Sequence, residues 1–221
     1  CGMGVTSVTA ETGTKVNPIV KKVQYNEFGQ MTMISRGNGS DTIYDYDIKG
    51  RLTNLVTTTN VYGSPRKIQD VTYDFKTDNS IRSVKNNPDY DTDGGYSSTI
   101  EYNYKYDGLN RLVHAQGRYD KIMGIDLIKS KKYERGYSYA DNGNMTGKTI
   151  FDPDTHGAKD IWNYSYANNH AVTRIDTTGY GVRRFEMEYD SVGNMIYQED
   201  REKDRKKRMD YDSSNRIKNV V

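Results

Sequence analysis

Tyr106-Asp107-Gly108-Leu109-Asn110-Arg111-Leu112 decides the reading of this chain, because the same seven-residue phrase returns along its length. The phrase is a tyrosine, a small polar residue, two spacers, a glycine or asparagine, a polar residue and an apolar one. Upstream stand Tyr25-Asn26-Glu27-Phe28-Gly29-Gln30-Met31 and Tyr46-Asp47-Ile48-Lys49-Gly50-Arg51-Leu52. Downstream stand four more, beginning at Tyr139-Ala140, Tyr166-Ala167, Tyr189-Asp190 and Tyr211-Asp212 and ending at Met145, Val172, Met195 and Ile217. An eighth copy, starting at Tyr73-Asp74, reaches Asn79-Ser80-Ile81 when two residues are inserted. Successive tyrosines are separated by 21, 27, 33, 33, 27, 23 and 22 residues. A fixed phrase at unequal steps implies one supersecondary unit joined by variable connections.

Before nearly every phrase the residues alternate. Ile100, Tyr102, Tyr104 and Tyr106 share one face while Glu101, Asn103 and Lys105 share the other, and the pattern recurs in Trp162, Tyr164 and Tyr166 and in Phe185, Met187 and Tyr189. Period two is the signature of a strand with one aromatic and one polar face. After each phrase an apolar residue opens a second run, so each repeat reads as strand, tight turn and returning strand, a β-hairpin. Asp at the first turn position and Gly at the fourth suit a type I turn whose glycine takes positive φ at a bulge. Asn110, His170 and Asn215 replace that glycine with residues that tolerate the left-handed region. The expected fold is all-β, an array of antiparallel hairpins.

Leu, Ile, Val and Phe together number 39 of 221 residues, against 20 tyrosines. A poverty of aliphatic residues suggests disorder when net charge is large, but here it is +2. The apolar role therefore falls to tyrosine, whose buried hydroxyl needs a partner; water or neighbouring Asn and Ser side chains are the expected acceptors. A single cysteine excludes a disulfide framework, and no apolar run approaches the roughly 20 residues of a membrane-spanning helix.

Residues 1–18 are expected to form a flexible tether, with Val5 to Thr14 read as linker, and residues 19–221 the repeat domain. Cys1-Gly2 is either the lipid-bearing start of a mature bacterial lipoprotein or an ordinary residue where the segment begins. At the other end, Ile217-Lys218-Asn219-Val220-Val221 forms an apolar edge expected to be covered by further repeats or a partner.

Constellations with chemical potential are few. Asp89-Tyr90-Asp91-Thr92-Asp93-Gly94 matches the first half of a calcium loop, yet Ile100 stands where the closing glutamate belongs. His114, His156 and His170 are far apart and none has a His or Cys at ligand spacing. Asp152 and Asp154 flank Pro153 in a connecting loop, where solvation is their expected role. The mixed-charge run Glu199 to Arg208 reads as a solvated hairpin tip and lacks the basic excess of a nucleic-acid surface. No catalytic, cofactor-binding or metal-binding residue is assigned, and no enzyme activity or cofactor is expected.

The phrases at Tyr46 to Leu52, Tyr106 to Leu112 and Tyr189 to Met195 resemble the YD repeats of the RHS (rearrangement hotspot) family, and the resemblance covers about Lys22 to Lys218. That family includes bacterial polymorphic toxins, the C components of insecticidal toxin complexes and teneurin adhesion proteins. The resemblance implies one curved, spiralling sheet forming part of a shell, in a secreted or cell-surface protein. The family's self-cleaving core segment has no counterpart here, Asp152-Pro153-Asp154 included. Eight hairpins would give a ribbon ~77 Å wide at ~4.8 Å per strand, too narrow to close around a folded enzyme. The expectation is therefore a non-catalytic wall segment whose partners are neighbouring repeats or a C-terminal domain of a larger chain. The alternative is a surface lipoprotein whose tyrosine-rich face contacts glycans or a cell-surface receptor, bound to the membrane only through Cys1.

Overall fold

The computed structural model describes residues 8–12, 15–61, 64–89, 96–123, 126–167, 170–179 and 181–221. Among these residues there are seventeen strands and no helix. The chain divides into two compact units, residues 1–104 with 117–132, and residues 105–116 with 133–221.

In the first unit, β1 (Val8–Thr12), β2 (Lys15–Tyr25), β3 (Met31–Arg36), β4 (Ser40–Tyr46), β5 (Leu52–Val61), β6 (Ser64–Phe75) and β7 (Ile81–Asn86) pair in chain order. Each is antiparallel to the next, and β8 (Tyr96–Tyr106) continues the series beside β7. Strands β8, β9 (Leu112–Met123) and β10 (Asp126–Tyr139) divide between the units. In the second unit β10 is followed by β11 (Met145–Phe151), β12 (Ala158–Tyr166), β13 (Val172–Gly179), β14 (Arg183–Tyr189), β15 (Met195–Asp200), β16 (Arg205–Tyr211) and β17 (Ile217–Val220). These also pair consecutively and antiparallel. The hairpin array read from the sequence is the observed architecture.

The register shifts by one residue as seven of the eight phrases are entered: at Gln24/Tyr25, Asp45/Tyr46, Asp74/Phe75, Ser138/Tyr139, Ser165/Tyr166, Glu188/Tyr189 and Asp210/Tyr211. A bulge at a constant position strengthens local twist and sets the strand into its turn. It also corrects one sequence assignment. The eighth phrase is Phe75-Lys76-Thr77-Asp78-Asn79-Ser80-Ile81, with no insertion, because Lys76 N donates to Ser80 O and Asn79 N to Lys76 O as in the other corners. Phenylalanine has replaced the tyrosine, and the Tyr73-Asp74 pair two residues earlier mimics a phrase start inside the strand.

A second difference lies near the N-terminus. Val8–Thr12 is a strand paired with β2, and β2 begins at Lys15, both within residues 1–18, the stretch expected to be a flexible tether. The Thr and Val residues there are polar or small enough to read as tether, but their β-branched side chains favour a strand. Cys1 lies outside the described residues.

Burial is shallow. Val71, Ala115 and Met187 are the buried hydrophobic residues among those described, while Thr42 and Thr57 are buried polar ones. Thr42 Oγ1 and Thr57 Oγ1 are 2.9 Å apart, and Arg36 Nη1 donates to Thr42 Oγ1 at 2.7 Å, so this part of the interior is a hydrogen-bonded cross-strand row. The phrase tyrosines 46, 106, 139, 166, 189 and 211 are half-buried. Side-chain burial alone therefore does not define the repeats; polar ties do.

Candidate functional site: the corner ladder

Each phrase closes on itself through its second residue. Asp47 Oδ1 accepts from the backbone N–H of Lys49 at 2.9 Å and of Arg51 at 3.0 Å, while Arg51 Nε donates to Oδ2 at 2.7 Å. Asp107 holds Leu109 N, Arg111 N and Arg111 Nε in the same way at 2.9, 2.9 and 2.6 Å. Asp190 and Asp212 repeat the pattern on their own corners. All four carboxyls are held below the usual aspartate range. For Asp47, Asp107 and Asp212 the main cause is the backbone N–H of the sixth residue, and for Asp190 it is the Asn194 side chain.

Where the second residue cannot accept, the cap moves two places along. Lys76 and Ala140 replace the aspartate, and Asp78 Oδ1 then accepts from Ser80 N at 2.9 Å, while Asn142 Oδ1 accepts from Asn144 N at 3.1 Å. The Asp78 carboxyl is pulled to about 2, chiefly by the Ser80 hydroxyl. The fifth residue takes positive φ throughout the described corners, at Gly29, Gly50, Asn79, Asn110, Gly143, Gly193 and Asn215. The phrase ending at Val172 contains two residues outside the described set, so the left-handed assignment for His170 also falls outside it.

Neighbouring corners are tied to each other in two ways, and at four junctions both ties are present. Backward, the first-position hydroxyl donates to the seventh-position carbonyl of the preceding phrase: Tyr46 to Met31 O, Tyr139 to Leu112 O, Tyr166 to Met145 O, Tyr189 to Val172 O and Tyr211 to Met195 O, at 2.8 to 3.1 Å. The expected partners were water or Asn and Ser side chains. Main-chain carbonyls take that role because the bulge turns the ring across the adjacent hairpin. Burial holds the hydroxyls of Tyr46, Tyr139 and Tyr189 above the usual tyrosine range.

Forward, the sixth-position side chain reaches the next corner. Gln30 Nε2 donates to Gly50 O at 2.7 Å, Arg51 Nη1 to Lys76 O at 3.2 Å and Asn79 Oδ1 at 3.0 Å, and Arg111 Nη1 to Ala140 O at 2.8 Å. Asn194 Nδ2 donates to Asn215 Oδ1 at 3.0 Å, and Asn144 Oδ1 pairs with His170 Nδ1. Within each unit these bonds form a ladder, tying the corners at 25–31, 46–52 and 75–81 in the first and those from 106–112 to 211–217 in the second.

The structure also joins residues that the sequence keeps apart. Glu134 on β10 bridges two histidines, His114 Nε2 at 2.8 Å and His156 Nδ1 at 2.6 Å, with Phe151 tilted over the His114 ring at 6.4 Å. Bonding from His114 is the main cause holding the Glu134 carboxyl below its usual value. Their separations of 20 and 22 residues carry no local signal, and strand pairing brings them together. Among the described residues no group of three or more His, Cys, Asp or Glu is arranged to hold a metal ion. Asp152 caps a turn, accepting from Asp154 N and Thr155 N, and so does structural work in its loop. Of the acidic run Asp89 to Gly94 only Asp89 is described, and its carboxylate accepts from Lys67 N at 2.9 Å. The charged run after Met195 makes a turn at residues 201–204, with Arg201 paired to Glu186 and Lys206 to Glu199.

No family model and no curated protein matches the chain. Solved structures do. The Photorhabdus luminescens Tc holotoxin pore carrying TccC3-D651A aligns with 91% of this chain at 16% identity and a TM-score of 0.55. A TcdB2-TccC3 crystal structure aligns with 96% at 16% identity and 0.56, and TcdB2-TccC3 without its hypervariable C-terminal region with 97% at 16% and 0.56. This chain spans only 11 to 13% of the length of those chains. The likeness is one of fold: an antiparallel hairpin array that also occurs within much larger toxin-complex chains.

Proposed function

We propose that the chain is a non-catalytic wall segment of an RHS-type shell, in a secreted or surface-exposed toxin-like protein. The observation that carries this reading is the corner ladder. The first- and sixth-position side chains of the phrase tie one corner to the next, so the recurring residues serve assembly of successive hairpins rather than a reaction. The span of 11 to 13% of the toxin-complex chains supports a role as one stretch of a longer wall. Its partners are then neighbouring repeats and a C-terminal domain of the same larger protein.

The test is limited proteolysis of the complete gene product. A domain downstream of the repeats should resist protease while the repeats are folded and become sensitive when the ladder is broken by combined Tyr139→Phe and Arg111→Ala substitution. A downstream domain cut equally fast in both proteins overturns the reading. So does a gene product without further sequence whose folded form gives a clear signal on a glycan array.

A further inference from the structure

At two junctions the gap between successive corners is filled by the chain's own guanidinium. Arg51 Cζ lies 4.6 Å from the centre of the Phe75 ring, and Arg111 Cζ lies 5.0 Å from that of Tyr139. In each case the ring is the first residue of the following phrase. Behind the guanidinium stands its own corner aspartate, at 2.6 Å for both Arg51–Asp47 and Arg111–Asp107. In front stands the second-position carbonyl of the next corner, Lys76 O or Ala140 O. That carbonyl already accepts a fifth-position N–H, from Asn79 or Gly143, and offers its second lone pair to the arginine.

The first junction has the same frame and a different filling. Asn26 replaces the aspartate and Gln30 the arginine, and the two amides bond to each other at 3.0 Å. Gln30 is too short to cover the next ring, and its Nε2 turns to Gly50 O. A space of about 480 Å³ remains, lined by Asn26, Gln30, Tyr46 and Asp47 and walled by Phe28 and Ile48. These two apolar side chains are 79% and 104% exposed. Asp47 O accepts Gly50 N–H at 2.9 Å, as its equivalents do at the filled junctions, and retains a second lone pair.

We infer that the slot between the first two corners receives an arginine side chain from a partner protein. The molecule itself displays what fits: a guanidinium stacked on a phrase ring and hydrogen-bonded to the next corner's carbonyl. Tyr46 supplies the ring face and Asp47 O the acceptor. Phe28 and Ile48 supply apolar cover for the aliphatic stem of the incoming side chain. Lys49 also lines the slot, opposite in sign to Asp47, so recognition rests on stacking and geometry rather than on net charge. Lysine fits less well, because a point-like ammonium lacks the planar fork that stacks and donates at once.

Titration of the full chain with N-acetyl-arginine amide, followed by amide chemical shifts in NMR, tests the inference. Shifts should cluster at Asn26 to Gln30 and Tyr46 to Gly50, with a dissociation constant on the order of millimolar. The double variant N26D/Q30R installs the chain's own ion pair, as at the filled junctions, and should bind the compound about tenfold more weakly. Should that variant fail to fold, F28S and I48S change exposed walls and should each weaken binding. Equal binding by the double variant, or by both wall variants, overturns the inference. Binding of N-acetyl-leucine amide as tight as that of the arginine compound makes the slot a general apolar patch and overturns it too. No localised shift at saturating arginine compound does the same.

Discussion

The two ends of the hairpins obey different rules. At the phrase end every described corner has the same length, an Asp or Asn cap at its second or fourth position, and a fifth residue at positive φ wherever that angle is described. Among the fully described connections at the far end no two are alike: a tight turn at Gly37 to Gly39, a six-residue turn at 152–157, a charged tip at 201–204. The unequal steps between phrases therefore arise outside the phrase, whose own length is constant. The phrase end is uniform because a corner of the wrong length would misplace both its backward hydroxyl and its forward side chain. The glycines make the same point. A Cβ on Gly29 would meet nothing within 4 Å, so that residue serves only its positive φ of 77°. A Cβ on Gly37 would lie 1.5 Å from Pro18 O, so there the backbones themselves are in the way.

The strongest way to break the comparison is Gly37→Ala. Its backbone N–H also donates to Ile19 O at 2.9 Å, so the added carbon must push β2 and the turn apart and disturb that bond. The expected loss is about 3 kcal/mol, read as a lower urea midpoint, because the obstacle is main chain and not a side chain that can rotate away. A midpoint unchanged from the wild type would mean that the far end is as tolerant as the phrase end.

Next in size is Glu134→Gln, which removes the charged acceptor shared by His114 and the far-end residue His156. The expected cost at neutral pH is about 2 kcal/mol, since both oxygens of a largely buried carboxylate are hydrogen-bonded. The pH dependence has a definite sign. Glu134 is held below its ordinary value of 4.5, so its stabilisation is present above that pH and is lost as pH falls through the lowered folded-state value. The gap between wild type and E134Q in thermal melts should therefore be full at pH 7 and shrink below about pH 4.5. A gap that widens on acidification would assign the stabilisation to another group.

Much of the phrase end was legible in the sequence, because its requirements are local. Period-two alternation gave the strands, and Asp with Gly or Asn three places later gave the turns. The misassigned eighth phrase shows where local reading stops. Tyr73-Asp74 matched by residue type, while the true start, Phe75-Lys76, matched by none; its cap had migrated to Asp78, a substitution visible only once the corner hydrogen bonds are known. The ties between phrases were not legible at all. Tyr139 and Leu112 are 27 residues apart, and Arg111 and Ala140 are 29 apart, distances set by far-end lengths that the sequence leaves free. The Glu134 bridge was hidden for the same reason. Val8–Thr12 failed differently, since Thr is at once a linker residue by polarity and a strand residue by branching.

A smaller effect sharpens the account of the ladder. Tyr139→Phe keeps the ring under Arg111 and removes only the donor to Leu112 O, so it should cost about 1 kcal/mol. The natural Phe75 occupies the same position beneath Arg51, which makes the substitution sterically safe. Chemical denaturation gives the number, and a cost near zero would mean that water replaces the hydroxyl at no loss and the backward tie is decorative.

The smallest expected effect is the most discriminating one. Gly29→Asn places at a phrase corner the residue that the chain itself uses at Asn79, Asn110 and Asn215, whose φ values of 71°, 59° and 59° lie close to the 77° of Gly29. Asparagine tolerates that region, the added carbon meets open space, and its reduced freedom in the unfolded chain offsets part of the residual strain. The change should therefore stay within about 0.5 kcal/mol of wild type. Gly29→Val at the same position tests the reason, because a β-branched residue at positive φ is strained however much room it has. Val should be clearly the worse of the two in the same denaturation series. If Asn and Val prove equally harmful, the phrase-end glycine is needed for something besides its torsion, and the distinction between the two ends of the hairpins fails.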